Sequence, residues 1–166
     1  GGSAGPKSVI FCLDVSGSMQ TSVAPRQAPP AKPTYFILQP AAMPPIVKPP
    51  PKTRLDVCKT STIVVVNKVM NDGDSLGLHA FNHLVDERWK FGDWSPSHHA
   101  DRFEKEVMSL RFGGGTAFWD TLKHAMSVLL NSNMDSTREK WVVALTDGED
   151  QHSKAESLPW LIHTVG

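Results

Sequence analysis

Two short apolar runs, each ending at an aspartate, limit most tightly what this chain can fold into. Ser8-Val9-Ile10-Phe11-Cys12-Leu13 stops at Asp14, and Trp141-Val142-Val143-Ala144-Leu145-Thr146 stops at Asp147. Continuous apolar runs of this length suit strands buried on both faces, as in a parallel sheet flanked by helices. A carboxylate directly after such a run lies at the carboxyl end of its strand, the edge where open α/β sheets bind ligands.

The rest of the chain supplies the helices that such a sheet needs. Residues 55–70 carry apolar side chains nearly all round, which predicts a helix largely covered by the fold, and Asn71-Asp72-Gly73-Asp74 ends it. Residues 75–81 read as a second strand and 87–91 as a short third one after a hairpin-like loop. Ser95 before Pro96 is a good start for a helix over 98–110, Ser as the cap and Pro in the first turn. Gly113-Gly114-Gly115-Thr116 is loop sequence, and 119–130 has helical spacing in Leu122, Ala125, Met126, Leu129 and Leu130. Residues 141–146 predict another buried strand, and Leu161-Ile162-His163-Thr164-Val165 the beginning of a further one. This alternation predicts a Rossmann-like α/β fold, an open and mostly parallel sheet with helices on both faces.

Composition bounds the remainder. With 166 residues, 40% of them hydrophobic, the chain suits one domain. Residues 1–7 read as an expression scar or N-terminal extension, and 8–166 as the domain. The domain is interrupted at 21–54, where ten of the 13 prolines fall and no helical or alternating period survives. This insertion is expected to be extended or disordered, with only Tyr35-Phe36-Ile37-Leu38 able to dock. Its Pro30-Ala31-Lys32-Pro33 has PxxP spacing but lacks the flanking Arg of an SH3 ligand.

Lys plus Arg equals Asp plus Glu at 17 each, which gives no pull toward nucleic acid or an anionic membrane. No apolar stretch approaches the roughly 20 residues that span a bilayer. Cys12 and Cys58 read as buried thiols, since two cysteines make neither a disulfide framework nor metal-ligand spacing. The histidines look scattered, and His98-His99 reads as a solvated face. With no Asn-x-Ser/Thr acceptor present, a cytoplasmic or otherwise intracellular setting is expected.

Three polar clusters, at Asp14 to Ser18, at Thr116 and at Asp147, should converge at one edge of this sheet. They offer carboxylates and hydroxyls without His or Cys, a donor set for a hard cation rather than for zinc. Asp14-x-Ser16-x-Ser18, Thr116 and Asp147, in this order, resemble the metal-ion-dependent adhesion site (MIDAS) of von Willebrand factor A (vWA) domains. Gly113-Gly114-Gly115-Thr116 followed by Asp120, and Asp147-Gly148-Glu149-Asp150, are similar to intracellular and bacterial members of that family.

The resemblance implies one antiparallel edge strand and one bound Mg²⁺, with Mn²⁺ or Ca²⁺ as alternatives. It also implies that Ser16 and Ser18 ligate directly, Thr116 directly or through water, and Asp14 and Asp147 mainly through water. Gly115, Gly148 and Glu149 would lie behind the ligands or against a partner. Asp120 either supports the site or simply favours its helix dipole, and Trp119 is either a partner anchor or a packed ring. Neutral hydroxyls leave the cation electron-poor, so a partner's Glu or Asp would complete its shell.

The chain departs from the family in two places. The proline-rich segment separates the first metal loop from the first helix, and the chain stops at Gly166, in what is expected to be the fifth of six strands. The sheet therefore reads as C-terminally truncated, with an edge open to an oligomer or a partner strand. The leading expectation is a cation-dependent protein-interaction module with no catalytic residues. One alternative is a structural scaffold that recruits partners through the insertion. Another is a Mg²⁺-dependent phosphoryl-transfer enzyme, although Ser16 stands where such enzymes need a second acid.

Overall fold

A computed structural model of the chain describes residues 5–23, 52–132, 137–147, 150 and 152–165. Its centre is a four-stranded sheet of β1 (Lys7–Asp14), β2 (Ser75–Phe81), β3 (Val85–Asp93) and β4 (Glu139–Leu145), in the order β3-β2-β1-β4. β1 runs parallel to β2 and to β4, and β3 is antiparallel to β2. Four α-helices flank it: α1 (Arg54–Val69), α2 (Pro96–Met108), α3 (Phe118–Asn131) and α4 (Ser157–Val165).

Alternation along the strands divides the core. Val9, Phe11 and Leu13 of β1 and Leu76, Leu78 and Ala80 of β2 face Leu55, Val66, Phe103 and Val107 of α1 and α2. Ile10, Cys12 and Phe81 face Ala125 and Leu129 of α3. Cys12 is fully buried, which pushes its thiol pKa up to about 12, whereas Cys58 is only half-buried. His79 points to the α3 side and is also fully buried; burial pushes its pKa down to about 4, helped by His124 and opposed by Glu87.

The predicted alternation of elements is present, with several local corrections. β1 begins at Lys7, within the expected N-terminal extension: the Lys7 ammonium meets Asp74 at 2.7 Å and its backbone N–H donates to the same carboxylate. Only one stripe of α1 is buried, through Leu55, Lys59, Thr62 and Val66, while Val57, Val64, Val65 and Val69 are exposed. β4 is not the buried strand predicted, because nothing pairs with its outer edge among the described residues and Trp141 is half-exposed. Ser95 occupies the cap position of α2 but forms no side-chain cap bond; its hydroxyl meets Ser97 and His98 instead. His99 is packed against the rings of Trp89 and Trp94, so only His98 lies on a solvated face.

Residues 157–165 form a helix, not the beginning of a fifth strand. Five residues, three of them apolar, are too few to show a period. The i, i+4 pair Ser157 and Leu161 is buried, leaving Ile162 exposed.

Residues 24–51 of the insertion, with the Tyr35–Leu38 patch and the PxxP spacing, lie outside the described residues. The two ends of the insertion do pair. Ser22 bridges Thr53, Val23 N–H donates to the Lys52 carbonyl at 2.9 Å, and Arg54 N–H donates to the Thr21 carbonyl at 2.9 Å. Immediately after this stem, Thr53 and Asp56 form a capping box that starts α1. The insertion thus leaves and rejoins the domain at one point.

Candidate metal centre

Because β1, β2 and β4 are mutually parallel through β1, their carboxyl ends share one edge. The connection through α1 carries the chain to β2 on one side of β1, and β4 lies on the other side. The crevice between the ends of β1 and β4 is therefore the topological switch point of the sheet. Asp14 is the last residue of β1, and Asp147 follows β4 by two residues.

Asp14 is fully buried with both oxygens engaged. Its Oδ1 accepts from the Ser16 N–H at 2.8 Å and its Oδ2 from the Thr146 hydroxyl at 2.6 Å. The backbone then enters a 3-10 turn, Gly17–Gln20, in which Met19 is completely buried. Burying one such side chain contributes about 1.5–3 kcal/mol, enough to pin the loop. With Met19 as the anchor, the Ser16 and Ser18 hydroxyls stand 3.1 Å apart, and Ser18 Oγ donates to Asp147 Oδ1 at 3.1 Å. Asp147 Oδ2 is also held by the guanidinium of Arg54, the first residue of α1.

The glycine loop closes the other side. Gly17 N–H donates to the Gly114 carbonyl and Gly113 N–H to the Val15 carbonyl. Gly114 adopts φ +82°, a left-handed conformation that a β-carbon disfavours. Asn82, just beyond β2, clamps this loop through its side-chain amide to the Gly113 carbonyl and its own carbonyl to Ala117 N–H. Thr116 is buried beside it, and His152 lies over the loop: His152 Nδ1 accepts from Thr116 N–H at 3.3 Å. A β-carbon on Gly115 would collide with the His152 ring, so any other residue there displaces that ring.

The structure links Asp14, Ser16, Ser18 and Asp147 by hydrogen bonds and ties the Thr116 loop to theirs through the backbone. Gly148 and Glu149 lie outside the described residues. Asp120 belongs to a clasp between α3 and α4, where its Oδ1 accepts from Lys154 N–H at 2.9 Å and from the Ser157 hydroxyl. Trp119 is half-buried, its ring centroid 4.9 Å from that of Phe118.

Sequence reasoning missed four members of this assembly: Thr146, Arg54, Asn82 and His152. Thr146 and Asn82 sit at strand ends, where polar residues were foreseeable. Arg54 and His152 reach the site only through the tertiary fold. Cys58 also lies close by: burial raises its thiol pKa first, and the charges of Asp14 and Asp147 add to the effect.

The donor set suits a hard cation. Oxygens at adjacent corners of a Mg²⁺ octahedron with ~2.1 Å bonds lie about 3 Å apart, and the two serine hydroxyls already have that separation. Asp14 is fixed behind them by the Ser16 N–H and the Thr146 hydroxyl.

The chain matches the family model of the von Willebrand factor type A domain over residues 9–149, and it belongs to that family. Domains of this family generally mediate protein–protein interactions. Among solved structures it is similar to a von Willebrand factor type A protein from Catenulispora acidiphila, with a TM-score of 0.68 and 18% identity, covering 96% of this chain and 30% of that one. It is also similar to the conserved hypothetical protein BatB from Bacteroides thetaiotaomicron, with a TM-score of 0.62 and 17% identity over 96% of this chain and 62% of that one. A third is proximal thread matrix protein 1 from the mussel byssus, solved with a zinc-occupied MIDAS motif, with a TM-score of 0.60 and 18% identity over 98% of this chain and 34% of that one.

At these identities the likeness is one of fold, and the chain spans less than two thirds of each of these proteins. No curated protein matches it in sequence. Among the described residues no helix is long and apolar enough to cross a membrane.

Proposed function

We propose that this domain binds a protein partner through a divalent cation, Mg²⁺ in the first instance, held by Ser16, Ser18 and Thr116 with Asp14 and Asp147 setting charge and orientation. The observation that carries this reading is the run of oxygens from Ser16 through Ser18 to Asp147 at the switch point, backed by the buried Asp14. When bound, the cation supplies an electrophilic position that takes a carboxylate oxygen. The protein's own part is to offer neutral hydroxyls and keep the two aspartates in place, which leaves charge on the ion for the partner's Glu or Asp to neutralise.

Binding without turnover is the corresponding reading of the chemistry. Ser16 occupies the place where an aspartyl-phosphate enzyme needs its second acid, and its hydroxyl is engaged with Ser18.

The test is an immobilised peptide series presenting Glu or Gln in an otherwise identical sequence, probed with the protein in Mg²⁺ and in chelator. Retention on Glu peptides alone, lost with chelator and in Ser16→Ala, is the expected result. Retention that survives chelation, or that does not distinguish Glu from Gln, removes the cation from the account.

A further inference from the structure

His79, Glu87 and His124, which are distant in sequence, meet on the α3 side of the sheet. His79 and Glu87 are direct cross-strand partners in β2 and β3, so their side chains emerge side by side on one face. His124 reaches down from α3: its Nε2 lies 2.7 Å from Glu87 Oε1, and its ring centroid lies 5.1 Å from that of His79. His79 Nε2 is 4.0 Å from the same carboxylate oxygen, and one ligand atom from each residue falls within 4.8 Å of the others.

His79 is the residue that the fold alone does not explain. It is completely buried, yet neither ring nitrogen has a hydrogen-bond partner among the described residues. An unsatisfied buried polar group costs on the order of 1–3 kcal/mol, and an apolar side chain of similar size would avoid that cost. A metal ion would give a partner to Nε2, the ring nitrogen nearer Glu87.

We propose that His79, Glu87 and His124 form a second metal site, for a borderline ion such as Zn²⁺ and separate from the oxygen-only site at the strand ends. Two imidazoles and one carboxylate are a borderline-soft donor set that zinc prefers and Mg²⁺ does not. Zinc bonds of ~2.0–2.1 Å in a tetrahedron place ligand atoms about 3.4 Å apart. The 2.7 and 4.0 Å separations bracket that value. His79 is fixed in the core, while the side chains of Glu87 and His124 are 39% and 43% exposed and free to adjust. The His124–Glu87 hydrogen bond is exchanged for coordination.

Beyond these two residues lies an open cleft lined by Lys90, Gly92, Ser127 and Asn131, which gives the ion a path in and leaves the fourth position to water. The site does not depend on the proposed function of the strand-end loops.

The test is titration of the full chain with Zn²⁺ against a competing chromophoric chelator, and with Co²⁺ read by its visible absorption. Both are done in a Ser16→Ala/Ser18→Ala background so that the loop hydroxyls cannot contribute. The expected result is a single equivalent of zinc, with the intense visible bands of four-coordinate cobalt. His124→Ala and Glu87→Gln, both on exposed side chains and verified as folded by circular dichroism, should each weaken binding by at least about 100-fold, more than loss of an outer hydrogen-bond partner costs. His79→Phe, which fills the buried volume, should be folded and metal-free. Zinc affinity unchanged in His124→Ala and Glu87→Gln, or a folded protein that gives no cobalt bands, overturns the proposal.

Discussion

Asp14 combines complete burial with two donors, and it shows how single residues set up the strand-end site. Its oxygens are held by the Ser16 N–H and the Thr146 hydroxyl, so the carboxylate needs no ion to stay in position. Asp147 differs, because it is shared between Ser18 and the guanidinium of Arg54. In the proposed function Arg54 would therefore compete with the cation for Asp147. Exposed pairs of this kind are worth about 0.2–1 kcal/mol, so Arg54→Gln should tighten Mg²⁺ affinity by no more than about fivefold; a calorimetric titration showing weaker binding would mean that Arg54 supports the site instead.

A second carboxylate, Asp74, governs acid stability. Burial alone would raise its pKa, but the Lys7 side chain, the Lys7 N–H and the Asn71 N–H together hold it below the ordinary carboxylate range. A folded pKa below the unfolded value of ~3.9 stabilises the protein above that pH, and the contribution is lost as pH falls through the folded value. Urea denaturation should therefore find Asp74→Asn less stable than wild type at pH 7, with the gap narrowing below about pH 4. A gap independent of pH would place the effect elsewhere.

Among the elements, the insertion stem has the clearest consequence. Residues 21–23 and 52–54 are hydrogen-bonded to each other, so removing residues 24–51 and joining Val23 to Lys52 through a short glycine turn should leave β1, α1 and the metal loop in place. The melting temperature should change by only a few degrees and Mg²⁺ binding should persist. Loss of partner capture with intact metal binding would instead assign recognition to the insertion. The stem was not legible in a proline-rich stretch with no period, since it rests on two hydrogen bonds between residues some thirty positions apart.

What could be read at this scale was whatever had length or a sharp boundary: β1 and its stop at Asp14, β2, and the periodic α3. Two short elements misled. Residues 161–165 hold three apolar side chains, too few to show a period, and they lie in a helix that packs on α3. Residues 141–145 carry a core-strand composition yet form the exposed edge β4, because burial depends on neighbours that composition does not reveal.

For the whole molecule, sheet order does what no single motif can. Asp14 and Asp147 are 133 positions apart, and the β3-β2-β1-β4 order makes them neighbours across the switch point. Their convergence could be foreseen because parallel strands ending in polar residues have only one edge to share. The clustering of His79, Glu87 and His124 could not, since cross-strand register and the placement of α3 leave no mark at fixed spacing. The sequence-legible site is thus the one built from strand ends, and the hidden one is built from faces.

In the proposed function the loops after β1 and β4 bind a divalent cation through the serine hydroxyls of the first loop. Calorimetric titration of Mg²⁺ and Mn²⁺ into the wild type and into Ser16→Ala/Ser18→Ala, both confirmed as folded, tests it most directly. Saturable binding of a single ion to the wild type, lost in the variant, is the expected result. Equal binding to both proteins, or none to the folded wild type, would contradict it.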